Sequence, residues 1–118
     1  MSYDVQLYSI KTKHKEKNAK DEHFFDQPSR LEKFTDEQFL SLKQRLQAYG
    51  YVLTHTADQQ YHFEHKEHAI IVLLTDSGLY FQATFEQEAI FEAGMTCSEF
   101  TDTDEFAKYD PQQGGWED

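Results

Sequence analysis

Residues that mark particular classes of protein are scarce in this chain. Cys97 is its only cysteine, so the chain forms no internal disulfide and no zinc site built on several cysteines. The five glycines are isolated except for Gly114-Gly115, and none lies in a phosphate-cradling loop, a dinucleotide fingerprint or a nucleophile elbow. No apolar run is long enough for a signal peptide or a membrane span. We therefore expect a cytoplasmic protein, and no motif indicates a cofactor.

Positive charge is also scarce. Eleven Lys and Arg face 22 Asp and Glu, which gives a net charge of −11. Residues 1–50 carry nine basic and eight acidic side chains, whereas residues 51–118 carry two basic and fourteen acidic ones. Such a chain repels nucleic acid and anionic membranes, so we predict that it binds neither. A basic protein is the partner that this charge favours, and solubility alone is the alternative explanation.

Aromatic residues, in contrast, are abundant. Ten Phe, seven Tyr and one Trp argue against a disordered chain. A length of 118 residues predicts a single domain over residues 1–118. Alternation predicts a first strand over Tyr3–Ile10. The residues at about 11–30 lose all periodicity and predict a long charged loop.

The clearest local pattern predicts a helix over residues 36–49. Thr35 is placed to cap its start, with Gln38 as the partner in a capping box. Gly50 suits the left-handed residue that follows a last turn. Apolar residues recur at helical spacing between them: Phe39, Leu42, Leu46 and Tyr49.

Short strand-like runs follow this helix in close succession. They are Tyr51–Thr56, Gln60–His65, Ala69–Leu74 and Leu79–Phe85. Their short connections favour an antiparallel meander. A short second helix is predicted over Glu86–Gly94, with Ile90, Phe91 and Ala93 available for packing. The predicted fold class is α+β: about five antiparallel strands packed against one long helix and a short second one.

Histidines concentrate in the stretch YHFEHKEH, residues 61–68. On a strand, His62 and His65 point to opposite faces. A turn at Lys66-Glu67 brings His68 opposite His65, which makes His65, His68 and Glu67 the candidate metal ligands. A zinc site usually needs three or four protein ligands, so we predict an ordinary hairpin edge and no bound metal. A metal-dependent enzyme that uses His62, His65 and His68 is the alternative.

The segment at about 99–118 is acidic and rich in turn residues, and we expect it to be irregular. It lacks the glycine of a calcium loop, and we expect Cys97 just before it to be buried and inert. The candidate partner-binding residues are Glu99, Asp102, Asp104, Glu105 and Trp116.

These patterns favour a non-catalytic acidic protein-binding domain, and no catalytic residue is predicted. An immunity protein or inhibitor of a basic partner is its most specific form. The run Ala69–Leu74 is apolar on both faces of the predicted strand, so it requires cover on both sides. A homodimer through the sheet is therefore a further prediction.

Overall fold

Seven strands and three helices make up the computed structural model, which describes residues 2–19, 31–57, 60–84, 86–103, 105–110 and 115–116. The strands are β1 Ser2–Ser9, β2 Tyr51–Ala57, β3 Gln60–His65, β4 Ile70–Leu74, β5 Leu79–Thr84, β6 Phe106–Asp110 and β7 Gly115–Trp116. The helices are α1 Ile10–Ala19, α2 Asp36–Ala48 and α3 Gln87–Glu99. Among the described residues, no helix has both the length and the apolar content needed to cross a membrane.

All seven strands belong to one antiparallel sheet with the order β2-β3-β4-β5-β1-β6-β7. The predicted meander is confirmed, because β2 to β5 are neighbours in chain order. Strand β1 lies between β5 and β6, with Val5 opposite Phe81 and Leu7 opposite Lys108. The α+β class is thereby confirmed, with more strands than expected.

Alternate residues of the strands form the main core on one face of the sheet. In one row across the sheet, Phe63, Val72, Phe81 and Val5 follow one another in register, and all four are buried. Helices α2 and α3 cover this face with buried residues: Leu42 and Leu46 from α2, and Ala89, Ala93 and Cys97 from α3. Small residues along α3 let that helix lie close to the sheet.

The opposite face of the sheet carries a second, smaller cluster. Tyr8 and Leu31 are buried there, and they pack with Ala19, Tyr80, Tyr109 and Trp116. The same face is open over β2 and β4, where Val52 and Ile71 are 52% and 48% exposed. Strand β4 is interior, as its apolar run predicts. Among the described residues, helices cover only one of its faces, and Ile71 on the other face is exposed.

Helix α2 begins as its sequence predicts. The Thr35 side chain accepts from the backbone N–H of Gln38 at 3.1 Å, and the Gln38 side chain accepts from the Thr35 N–H at 2.9 Å. Gly50 follows the helix with φ of +94°, a conformation that glycine adopts at no steric cost. The capping box and the glycine after the last turn are both confirmed.

The first difference from the prediction is α1, which occupies the start of the expected loop at about 11–30. Ser9 Oγ accepts from the Thr12 N–H at 3.2 Å, in the position of an N-cap. Thr12 is buried, and its Oγ1 accepts from the Glu32 N–H at 2.9 Å. These contacts hold a helix that has no apolar stripe of its own. Residues 20–30 lie outside the described residues.

The second difference is the segment expected to be irregular at about 99–118. Strand β6 adds to β1, and β7 adds to β6 with Trp116 opposite Tyr109. The sheet thus has seven strands instead of five. Helix α3 runs to Glu99 instead of ending at Gly94, so it is as long as α2.

Candidate functional site

The outer side of α3 exposes large apolar side chains to solvent. Ala89, Ala93 and Cys97 point to the sheet, so residues half a helical turn away point to solvent. Phe91 is 68% exposed, and Met95, one turn later, is 37% exposed. Phe91 was expected to pack, and this expectation is wrong because the small residues occupy the buried stripe.

Carboxylates flank these two apolar side chains. Glu88 and Glu99 are exposed and Glu92 is partly buried. The spacing of 88, 91, 92, 95 and 99 places all five residues on one side of a helix. We call this surface the α3 ridge: Glu88, Phe91, Glu92, Met95 and Glu99.

A groove of about 390 Å³ lies beside the part of the ridge at the start of α3. His68, in the connection between β3 and β4, forms one part of its lining. Helix α3 contributes the others: Gln87, Glu88, Phe91 and Glu92. The groove therefore combines two carboxylates, an amide and an exposed aromatic ring.

His65 lies behind this groove, at the end of β3, with its side chain buried. Its Nδ1 accepts from the backbone N–H groups of Glu67 and His68, both at 3.1 Å. The ring hydrogen of neutral His65 is therefore on Nε2, which lies 3.8 Å from Oε1 of Glu92. The ring also meets Tyr51 edge-on, with centroids 4.8 Å apart. His65 thus stabilises the β3–β4 turn, and its Nε2 faces Glu92 at a distance too long for a hydrogen bond.

The structure brings His65 and His68 together, with ring centroids 4.9 Å apart. His62 lies on the other face of β3, where its ring is 5.5 Å from that of His55. Both His65 nitrogens have neighbours, and Glu67 is an exposed residue of the turn. Within the described ranges, no three His, Cys, Asp or Glu side chains are arranged to hold a metal ion.

Two buried hydroxyl groups lie deeper under α3. Tyr51 Oη and Thr96 Oγ1 have no hydrogen-bond partner among the described residues. Burial raises the pKa of Tyr51 above its ordinary value of 10.0. Cys97 is buried as predicted, and its Sγ lies 3.6 Å from the backbone oxygen of Gln6. None of these groups reaches the groove lining.

The predicted acidic cluster divides into residues with different surroundings. Asp102 pairs with Arg45 of α2 through both guanidinium nitrogens, at 3.1 and 3.2 Å. Arg45 also donates to the backbone oxygen of Glu99, which leaves the Glu99 carboxylate exposed on the ridge. Glu105 is exposed, and Asp104 lies outside the described residues.

Trp116 is not beside these acids. Its Nε1 donates to Glu16 Oε1 at 2.9 Å, and its ring packs on Tyr8 and Tyr109. This contact lies on the face that α1 covers, whereas Glu99 ends α3 and Asp102 follows it, on the other face. The sequence thus identified Glu99 at one end of the ridge and missed Phe91, Met95 and Glu88.

Comparison of this chain with known protein families, with curated proteins and with solved structures returned no match.

Proposed function

We propose that this chain is a non-catalytic protein-binding domain that holds a basic partner against the α3 ridge. The observation that supports it is the exposed pair Phe91 and Met95 between the carboxylates of Glu88 and Glu99. An immunity protein or an inhibitor of a cationic protein is the most specific form of this proposal.

The apolar part of the ridge favours a protein as the partner. A large aromatic side chain that is two-thirds exposed gains from being covered, and aromatic residues dominate the binding energy of many protein interfaces. Methionine adapts to the shape of its neighbour. Phe91 and Met95 therefore supply the centre of an interface, and the carboxylates supply its rim.

The charge of the ridge favours a basic partner. Residues 51–118 carry fourteen acidic and two basic side chains, and α3 itself carries three glutamates and no lysine or arginine, so its outer side is negatively charged. Such a charge steers a cationic protein toward the ridge and raises its association rate. It repels the phosphates of nucleic acid and of anionic membranes, which would otherwise compete for an exposed aromatic residue.

Photo-crosslinking finds the partner and locates the interface in one experiment. A photoreactive phenylalanine analogue is incorporated at position 95, and in a second protein at position 40. Leu40 is also an exposed apolar helix residue, at 53%, but it belongs to α2. We expect a basic protein crosslinked at position 95 and not at position 40. Equal yields at both positions, or an acidic product, would contradict the proposal.

A matched pair of double variants then tests the ridge with the purified partner. Phe91→Ala with Glu88→Gln removes an apolar side chain and the carboxylate three residues before it. Leu40→Ala with Glu37→Gln removes the same two groups from α2. We expect the first pair to weaken binding by at least about tenfold and the second to leave it unchanged. Raising the salt from about 0.05 to 0.5 M should slow association of the unmodified protein.

A further inference from the structure

We infer that the groove beside Phe91 takes an arginine side chain of the partner. The inference rests on the proposed function, because the guanidinium group belongs to the basic protein that the ridge binds. The groove residues contact that guanidinium group, and they bind arginine more tightly than lysine.

The groove lining matches the two parts of a guanidinium group. Carboxylates accept its N–H groups in pairs, and Glu88 and Glu92 both line the groove. An exposed aromatic ring stacks on its flat face, and Phe91 supplies that ring. An ammonium group is a point charge without a flat face, so lysine uses only part of this lining.

Glu92 lies partly buried beside the His65 ring before any partner arrives. The backbone N–H groups of Glu67 and His68 fix the His65 ring through Nδ1. The Nε2 atom on the other side of that ring faces Glu92 Oε1 at 3.8 Å. A partly buried carboxylate has less conformational freedom than an exposed one, so it loses less conformational entropy when it binds.

The groove is large enough to hold one arginine side chain. Its volume of about 390 Å³ lies near the lower end of the range for small-ligand pockets, roughly 300–1,000 Å³. Phe91 and Glu88 are exposed, so they can be replaced with little effect on the fold.

Titration of the isotope-labelled protein with N-acetylarginine amide, followed by NMR, tests the inference. We expect saturable shifts of the backbone signals of Gln87–Glu92 and of His68. In these compounds the acetyl group is on the α-nitrogen, so the side chain is unmodified. Nα-acetylcitrulline amide has nearly the same shape as the arginine compound without the charge, and Nα-acetyllysine amide has the charge without the flat face. Both should bind at least about tenfold more weakly, because each lacks part of the match.

Variants decide whether the groove is the site. Phe91→Ala and Glu88→Gln should each weaken arginine binding, and the control variants Leu40→Ala and Glu37→Gln should not. Citrulline or lysine binding as well as arginine, or shifts spread over the acidic surface without saturation, would overturn the inference.

The two proposals fail in different ways. If the arginine amide does not bind the groove, but Phe91→Ala with Glu88→Gln still abolishes partner binding, only the arginine assignment is wrong. If partner binding survives that double variant, the proposed interface itself is wrong.

Discussion

At the scale of single residues, the environment of a side chain decides its role more than its type does. Phe91 and Phe81 are both phenylalanines near the same core, yet Phe81 is buried and Phe91 is exposed. His65 and His62 lie three residues apart, and one supports the groove while the other lies on the opposite face. In each pair, the side of the helix or strand to which the residue points decides the difference.

Tyr51 leads to a prediction about alkaline pH. Its buried phenol keeps its proton well above the ordinary pKa of 10.0, whereas the phenol of the unfolded chain ionises near that value. Above about pH 10 the unfolded state therefore binds fewer protons than the native state, and stability falls as pH rises. The stability that depends on the protonated phenol is therefore complete below the unfolded pKa, and it is lost as the pH rises from the unfolded pKa toward the folded one.

The variant Tyr51→Phe isolates this effect from other groups that titrate at high pH. It has no phenol to ionise, so it should lose less stability between about pH 9 and pH 11, by up to about 1.4 kcal/mol per pH unit. At pH 7 it should be at least as stable as the unmodified protein, because it removes a buried hydroxyl without a partner. Urea unfolding at each pH measures both, and parallel curves for the two proteins would contradict the prediction.

At the scale of helices and strands, the elements with local signals were predicted and the others were not. Helix α2 has a capping box, an apolar stripe and Gly50, all within the sixteen residues from Thr35 to Gly50. Helix α1 has only Ser9 as a start signal, and its contacts with Glu32 and Glu105 come from distant parts of the chain. No local pattern reports such contacts.

The same reasoning explains β6 and α3. Strand β6 forms because β1, about a hundred residues earlier, offers a free edge. The predicted end of α3 at Gly94 is too early, because Cys97 continues the buried stripe of Ala89 and Ala93 beyond that glycine. If that stripe is continued through the glycine, it predicts that Phe91 and Met95 lie on the outer side of the helix. The sequence alone therefore indicates the α3 ridge.

The capping box of α2 gives a quantitative prediction for an element. Thr35→Ala removes the hydroxyl that accepts from the Gln38 N–H, and it should lower the free energy of unfolding by about 1 kcal/mol. Thr35→Ser keeps the acceptor and is the matched control, with an expected loss near zero. Denaturant unfolding of the three proteins measures the difference, and an equal loss in both variants would show that the cap contributes nothing.

At the scale of the whole molecule, the two faces of the sheet differ in cover. Helices α2 and α3 cover one face, whereas among the described residues α1 and Leu31 cover the part of the other face near β1 and β6. Val52 and Ile71 are exposed on the remaining part, which includes β4, the strand whose run Ala69–Leu74 is predicted to be apolar on both faces. A homodimer through this surface stays a prediction.

The register of the sheet shows what opposes such a dimer. Val52 and Ile71 are both opposite Glu64, so a carboxylate lies between the two exposed apolar residues. Pairing two copies face to face would remove both Glu64 carboxylates from water and bring like charges together, which costs several kcal/mol. We therefore expect the unmodified protein to pair weakly, and only at high concentration.

Glu64→Leu tests this surface directly, because it joins Val52 and Ile71 into one apolar patch. We expect sedimentation equilibrium to show a dimer that is tighter by at least about tenfold than any formed by the unmodified protein. Glu37→Leu, which adds the same side chain on α2, is the matched control and should not pair. If Glu64→Leu remains a monomer at every concentration, the open face does not self-associate.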